Sequence, residues 1–495
     1  MDPILSLAIV ITYFLILFVI SWVTGKGADQ DTFFKANKNS PWYLVAFGMI
    51  GASLSGVTFI SVPGAVGGGG GFGYFQFVLG NFLGYLIMAK VLLPLYYKLN
   101  LTSIYGYLEQ RFGAASYKTG AILFLLSRIV GASLRMYLVA LVIQLAIGDY
   151  WGVPFELTVL LSIALIYLYT YRGGIKTVVW TDTLQTFCML LAAGITVWFM
   201  SDSLGAEGES VMSMLTNSDY TKTFNFGGPF SANFFTQIVS GALITLVMTG
   251  LDQDMMQKNL TVKTLGDAQK NVYWFSSVFV FANLLFLSLG ALLYLYGLDQ
   301  EIIREGMVDG KFQLLIQDAT SLEWIPRRTD ELFPLLALSY LGPIAGIVFV
   351  LGVIAAAYSS ADSALTALTT SFCVDILGFE KTPPSPQKTQ TRFRVHMAFA
   401  LILFIVILIF NWVNDRAVVF TIFTAAGYTY GPLLGMYAFG LYTKFKVKDS
   451  LVPWVCIISP ILSYAINFFF PLGFFVIMVN GLFSFAGLYL IREKA

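Results

Sequence analysis

Charge is what this chain has least of. Only 12% of its 495 residues are Asp, Glu, Lys or Arg, where a soluble globular domain carries about a quarter. A water-soluble enzyme or regulator is therefore excluded. There is a single histidine, His396, and no nucleophile and base can be paired along the chain, so an enzyme is not expected. Cysteine is almost as rare. Cys188, Cys373 and Cys456 lie far apart in or beside apolar segments, with neither metal-ligand spacing nor the pattern of a disulfide framework. The 29 basic and 28 acidic residues leave a net charge of +1. No basic patch stands out, so nucleic acid is not an expected partner.

What the chain has instead is hydrophobic length: 57% of it is apolar and 16% aromatic. Counting about 20 apolar residues per span, thirteen segments emerge, at 3–24, 42–62, 72–97, 118–147, 154–171, 178–200, 233–254, 271–297, 334–372, 392–412, 416–441, 451–469 and 472–490. The expected class is an all-α polytopic membrane protein whose partner is the lipid bilayer. The ninth segment is too long for one span, so its start is expected to lie outside. The first segment lacks the basic start and cleavage site of a signal peptide and is expected to remain as a helix. The connections 201–232 and 298–333 are long, polar and acid-rich, and the Gly67–Gly71 run reads as a flexible outer turn. With the N-terminus placed outside, 20 of the 29 Lys and Arg residues fall in cytoplasmic loops, among them Lys258, Lys263 and Lys270, and 6 fall outside. That bias fits the positive-inside rule and puts the C-terminus in the cytoplasm.

Polar residues inside the apolar segments are patterned. Ser359, Asp362, Ser363, Thr366 and Thr370 recur every three or four residues and share one helical face. An oxygen-only stripe containing a carboxylate suits a small hard cation such as Na⁺. Hydroxyls alone also serve close helix packing, but an ionisable residue at membrane depth points to function. The second segment carries Gly48, Gly51, Ser53, Ser55, Gly56 and Thr58 before Pro63, and the seventh carries Gly241, Thr245, Thr249 and Gly250. Such runs weaken helices. Interrupted segments in corresponding positions of two halves mark a transporter's binding site.

One stretch is recognisable. Gly173-Gly174-Ile175-Lys176-Thr177-Val178-Val179-Trp180-Thr181-Asp182-Thr183-Leu184-Gln185 closely resembles the signature of the sodium/solute symporter family of sodium–glucose, sialic acid, proline and monocarboxylate transporters. Phe33-Phe34-Lys35-Ala36-Asn37, Ser55-Gly56-Val57-Thr58-Phe59, Tyr107-Leu108-Glu109-Gln110-Arg111-Phe112-Gly113, Asp252-Gln253-Asp254-Met255-Met256-Gln257 and Ser359-Ser360 with Asp375 resemble the same family, in order, across roughly residues 30–450.

The resemblance implies a LeuT-type fold of two inverted five-helix repeats. Residues 1–41 would form a leading helix and loop, 42–200 the first repeat, 201–441 the second with its outer loops, and 442–495 two trailing helices. It implies Na⁺ as coupling ion, a small organic solute as cargo, a monomer as the working unit and the inner membrane as location, and the lack of an Asn-x-Ser/Thr sequon in the expected outer loops favours a bacterial source. The general Na⁺ site would use the carbonyls of Gly51, Leu54 and Ala356 with the hydroxyls of Ser359 and Ser360. A second Na⁺ site would centre on Asp182 with Ser359, Asp362 and Ser363; members usually carry a hydroxyl where this chain has Asp362. The solute cavity would be lined by Ser55, Thr58, Gln76, Val78, Thr245, Met248 and Thr249. In the fourth segment Gly131 aligns with the arginine that holds the substrate carboxylate in sialic acid transporters, and Arg135 lies one turn away. Thr245 and Thr249 replace the amide and stacking aromatic of sugar transporters, so an acidic sugar such as sialic acid is the lead solute. A neutral sugar, monocarboxylate or amino acid is the alternative, and an uncoupled uniporter, channel or sensor on the same fold is the rival of another class.

Overall fold

The computed structural model describes residues 3–205, 210–227, 229–308, 311–318, 322–381, 383, 385–413 and 418–493. Fourteen helices carry the architecture: α1 (Pro3–Thr24), α2 (Trp42–Gly64), α3 (Gly71–Lys98), α4 (Ala114–Ile143), α5 (Phe155–Thr170), α6 (Ile175–Gly205), α7 (Phe234–Gly250), α8 (Gln253–Leu260), α9 (Leu265–Asp299), α10 (Gly342–Ile376), α11 (Pro386–Val413), α12 (Val418–Tyr442), α13 (Val452–Phe469) and α14 (Val476–Leu490). Every expected segment holds a helix. By length and apolarity, ten helices among the described residues can cross a membrane, or eleven with α7 and α8 counted as one bent span. The expected count of thirteen is not reached by that measure. Helix α5 has only 16 residues, and α12 is not among the ten.

Burial follows the span chemistry. Over an 18-residue stretch of each span, 89% of the residues of α2 are buried, against 28% in α11 and 22% in α13. Small residues explain the first value. A Cβ on Gly56 would meet the Val139 side chain at 3.1 Å, and one on Gly48 the Asp182 side chain at 2.9 Å, so α2 runs against α4 and α6 at distances that larger side chains forbid. The outer helices instead present Leu, Ile, Phe and Trp to the surroundings, including Ile405, Trp412, Trp454 and Phe468.

Charge partitions the two ends. The loops after α1, α3, α10 and α12 meet on one end, where Lys35 pairs with Glu380 at 3.0 Å and Lys381 with Glu109 at 2.8 Å. Arg111 there donates to the carbonyls of Gly440, Thr443 and Phe445. The opposite end holds the only β-sheet among the described residues. The connection expected as a polar loop contains a three-stranded antiparallel sheet of β1 (Ile303–Val308), β2 (Lys311–Gln317) and β3 (Trp324–Arg327), with Ile303 opposite Ile316 and Leu314 opposite Arg327. Alternation buries Ile303, Leu314 and Ile316 beneath it. The Gly67–Gly71 run is likewise more than a turn. Gly68 has φ +65°, and a Cβ on Gly67 would lie 2.3 Å from the Tyr294 ring. Close approach dictates glycine there.

Candidate cation sites and solute cavity

Two broken helices make the site. In α2 the break is at Ser55, whose φ of 51° and ψ of 171° are non-helical. That conformation costs a non-glycine residue about 1–3 kcal/mol, and it interrupts the hydrogen-bond ladder that would use the carbonyls just before it. The freed oxygens face α10: the Ser360 hydroxyl donates to the Ala52 carbonyl at 3.4 Å. Thr186 of α6 accepts from the Gly51 amide at 3.0 Å.

The second break separates α7 from α8 by a bend of 64°. Its exposed backbone is covered by tyrosines: Tyr96 donates to the Gly250 carbonyl at 2.8 Å and Tyr105 to that of Leu251 at 3.0 Å. Asp252 caps α8 by accepting from the amides of Asp254 and Met255. All eight residues of α8 are buried although most are polar. Several of them reach partners on other elements. The Gln257 amide donates to the Phe34 carbonyl at 2.8 Å and to Thr370 at 3.0 Å, and Asn259 accepts from Asn271 at 2.7 Å.

Around α8 sit two buried charge clusters. In the first, Arg128 of α4 pairs with Asp254 and lies 3.8 Å from Asp252, which also accepts a hydrogen bond from Tyr430 of α12. In the second, Lys258 Nζ lies 2.7 Å from Asp182 Oδ2, with both side chains 1% exposed. The other oxygen of Asp182 accepts from Ser359 at 2.6 Å. Asp362 is fully buried beside this pair. Its Oδ2 accepts from Tyr169 at 2.8 Å and Thr181 at 3.2 Å, and its Oδ1 from the Ser363 amide at 2.6 Å. Asp182, Ser359, Asp362 and Ser363 are thus brought together, but with an ammonium among them. Two unit positive charges about 4 Å apart repel by about 4 kcal/mol at an effective dielectric of about 20, so Lys258 bears directly on any ion at Asp182.

Above the arginine cluster lies a cavity. Ser55, Thr58, Arg135, Thr245, Met248 and Thr249 line it, joined by Arg128, Tyr74, Phe77, Asn81 and Tyr85. Gln76 and Val78 do not. Residues 74, 77, 81 and 85 form one face of α3, which turns Gln76 away; its amide instead bridges the Gly73 carbonyl and the Asn225 amide. Gly131 is not a lining residue either, although a Cβ there would meet nothing within 4 Å. Arg135 is half-buried and, among the described residues, forms no hydrogen bond or ion pair.

The comparisons with known proteins follow this geometry. A profile described as the sodium:solute symporter family matches residues 33–449, most of the chain. The chain belongs to the sodium:solute symporter family. Among relatives of this symporter, the sodium/sialic acid symporter SiaT of Proteus mirabilis (strain HI4320) is 24% identical over 94% of the chain and 90% of its own length. The sodium/sialic acid symporter NanT of Aliivibrio fischeri (strain ATCC 700601 / ES114) is 24% identical over 92% and 87%. A solved structure described as the substrate-bound outward-open state of a Na⁺-coupled sialic acid symporter superposes with a TM-score of 0.80 over 99% of both chains at 19% identity. That likeness establishes the symporter's fold.

Sequence reasoning missed Lys258 and Arg128's partners. Lys258 reads as a solvated loop residue because its helix is only eight residues long and mostly polar, too short for its apolar residues Met255, Met256 and Leu260 to set a period that places it inside. The signal available was its position four residues after Asp254 and at the end of a family-like motif. His396 is buried between Thr170 at 2.9 Å and Thr369 at 2.7 Å.

Proposed function

We propose that this symporter couples inward Na⁺ movement to uptake of a small carboxylate-bearing solute by alternating access, with an acidic sugar such as sialic acid as lead substrate. The observation that carries the reading is Arg135. A half-buried guanidinium is costly unless something anionic compensates it; Arg128 is ion-paired with Asp254 and Asp252, whereas Arg135 has Asp252 only as a more distant electrostatic neighbour and makes no ion pair of its own. A guanidinium receives a carboxylate through a planar fork of donors. Two relatives carrying the name sodium/sialic acid symporter support the same choice.

Na⁺ would bind at the α2 break, between the carbonyls of Gly51, Leu54 and Ala356 and the hydroxyls of Ser359 and Ser360. The Ser360–Ala52 contact supports that placing. Residues 42–200 and 201–441 act as the two repeats, each opening on its broken helix. The chain works as a monomer in the inner membrane, its Lys/Arg-rich end in the cytoplasm and its N-terminus outside. One Na⁺ entering gains about 2.3 kcal/mol per 100 mV and about 1.4 kcal/mol for a tenfold gradient. That supports solute accumulation of the order of a few hundredfold. The test is uptake of labelled sialic acid into proteoliposomes with an inward Na⁺ gradient, against an equal K⁺ gradient. Uptake that follows Na⁺ and is lost in Arg135→Gln supports the reading. Equal uptake in both gradients would point to an uncoupled uniporter.

A further inference from the structure

We propose that Lys258 is a resident cation that takes the place of a second sodium ion at Asp182, so that this symporter moves with one Na⁺ per cycle. The inference rests on the Na⁺-coupled reading above and goes beyond it to the number of ions.

The geometry is specific. A Na⁺ site needs oxygen lone pairs that converge on one point without hydrogens in the way. Here each oxygen of the two acids already has a partner. Asp182 Oδ1 accepts from Ser359, and Oδ2 is ion-paired with the Lys258 ammonium at 2.7 Å. Asp362 receives the Tyr169 and Thr181 hydroxyls on one oxygen and the Ser363 amide on the other. Lys258 is not a loose side chain that happens to reach inward. Its neighbours Gln257 and Asn259 are tied to Phe34, Thr370 and Asn271, and it is 1% exposed. The ammonium supplies the positive charge that Asp182 requires in a dry interior, and it does so without drawing on a gradient.

Ser359 links this pair to the transported ion. Its hydroxyl hydrogen is committed to Asp182, which leaves its lone pairs for the general site at the α2 break. Lys258 thus fixes Asp182, Asp182 orients Ser359, and Ser359 presents an oxygen to the one Na⁺. Lys258 is a positioning residue in this scheme.

Removing the ammonium should convert the lysine's place into an ion site. Lys258→Gln leaves Asp182 buried and charged beside Asp362, and the nearest source of compensation is Na⁺. The experiment is equilibrium binding of radioactive sodium to the purified full-length protein in detergent, with no solute present, counted per chain. The wild type should hold one Na⁺, Lys258→Gln two, and Lys258→Arg, which keeps the charge, one. The double variant Asp182→Asn/Lys258→Gln should return to one. In liposomes the same step should raise the Na⁺ dependence of uptake from first towards second order.

Two Na⁺ per wild-type chain would overturn the proposal even if no variant folds. So would a count of one in a Lys258→Gln protein whose circular dichroism matches the wild type. No saturable Na⁺ binding in the wild type would instead remove the sodium-symporter reading itself, and the proposal with it, an outcome distinct from a count of two.

Discussion

Arg128 and Arg135 stand seven residues apart on one face of α4 and border one cavity, yet they are different kinds of residue. Arg128 is 5% exposed and enclosed by Asp252, Asp254 and, through Asp252, Tyr430. Arg135 borders the same space with no ion pair of its own, Asp252 acting on it only from beyond contact. The lesson is that a buried charge with a fixed partner is architecture, because both desolvation costs are met inside the fold. A buried charge without one is a place held for a ligand. Both arginines are equally visible in the sequence, and only their partners separate them.

The comparison is broken most directly at Arg128. Arg128→Gln should destabilise the protein by about 3–5 kcal/mol, because two buried aspartates lose their cation. Asp254→Asn in the same chain should recover part of it. Thermal unfolding in detergent reads this, and an Arg128→Gln protein as stable as the wild type would erase the distinction between the two arginines.

Arg135→Gln should do the opposite, leaving stability and Na⁺ binding nearly unchanged while solute affinity falls about 10- to 100-fold, or about 1.4–2.7 kcal/mol. Arg135→Lys should lie between, since the charge survives but the fork does not. Isothermal titration with sialic acid, with and without NaCl, separates an affinity loss from a folding loss. The open space at Gly131 sharpens the point: Gly131→Arg in an Arg135→Gln background should restore part of the lost affinity.

Ser359→Ala or Ser360→Ala should weaken Na⁺ activation of uptake more than tenfold, consistent with about 1–3 kcal/mol for an unsatisfied buried partner. An unchanged sodium dependence in both would move the general site away from the α2 break.

An exposed acid gives the smallest effect and the scale for the others. Asp29 accepts from the Thr32 amide at 2.8 Å and its hydroxyl at 2.7 Å, capping the short helix Gln30–Lys35. These bonds hold its carboxyl below the ordinary carboxylate value of 3.8. Its contribution is therefore complete above that value and fades as pH falls below it. Asp29→Ala should cost about 1 kcal/mol at neutral pH, and the difference from wild type should vanish under acid conditions. Unfolding midpoints across that range check it.

Composition alone determined that this is a polytopic helical membrane protein, since 12% charge and long apolar runs permit little else. The glycine- and serine-rich run before Pro63 determined that α2 would break, because those residues cannot hold a regular helix at membrane depth without another use for the backbone. The three strands between 303 and 327 and the inward helix α8 were decided only by the tertiary structure. The strands are short and α8 is mostly polar, so although Phe312, Leu314 and Ile316 alternate along β2, runs of this length do not by themselves state which part of the protein they face. Ion pairing was decided there too. Whether Lys258 meets water or Asp182, and whether an arginine on α4 meets an aspartate or an open cavity, depends on which helices arrive opposite it. Packing brings together residues 76 positions apart in the first case and at least 124 in the Arg128 cluster, and local sequence carries no physical record of that.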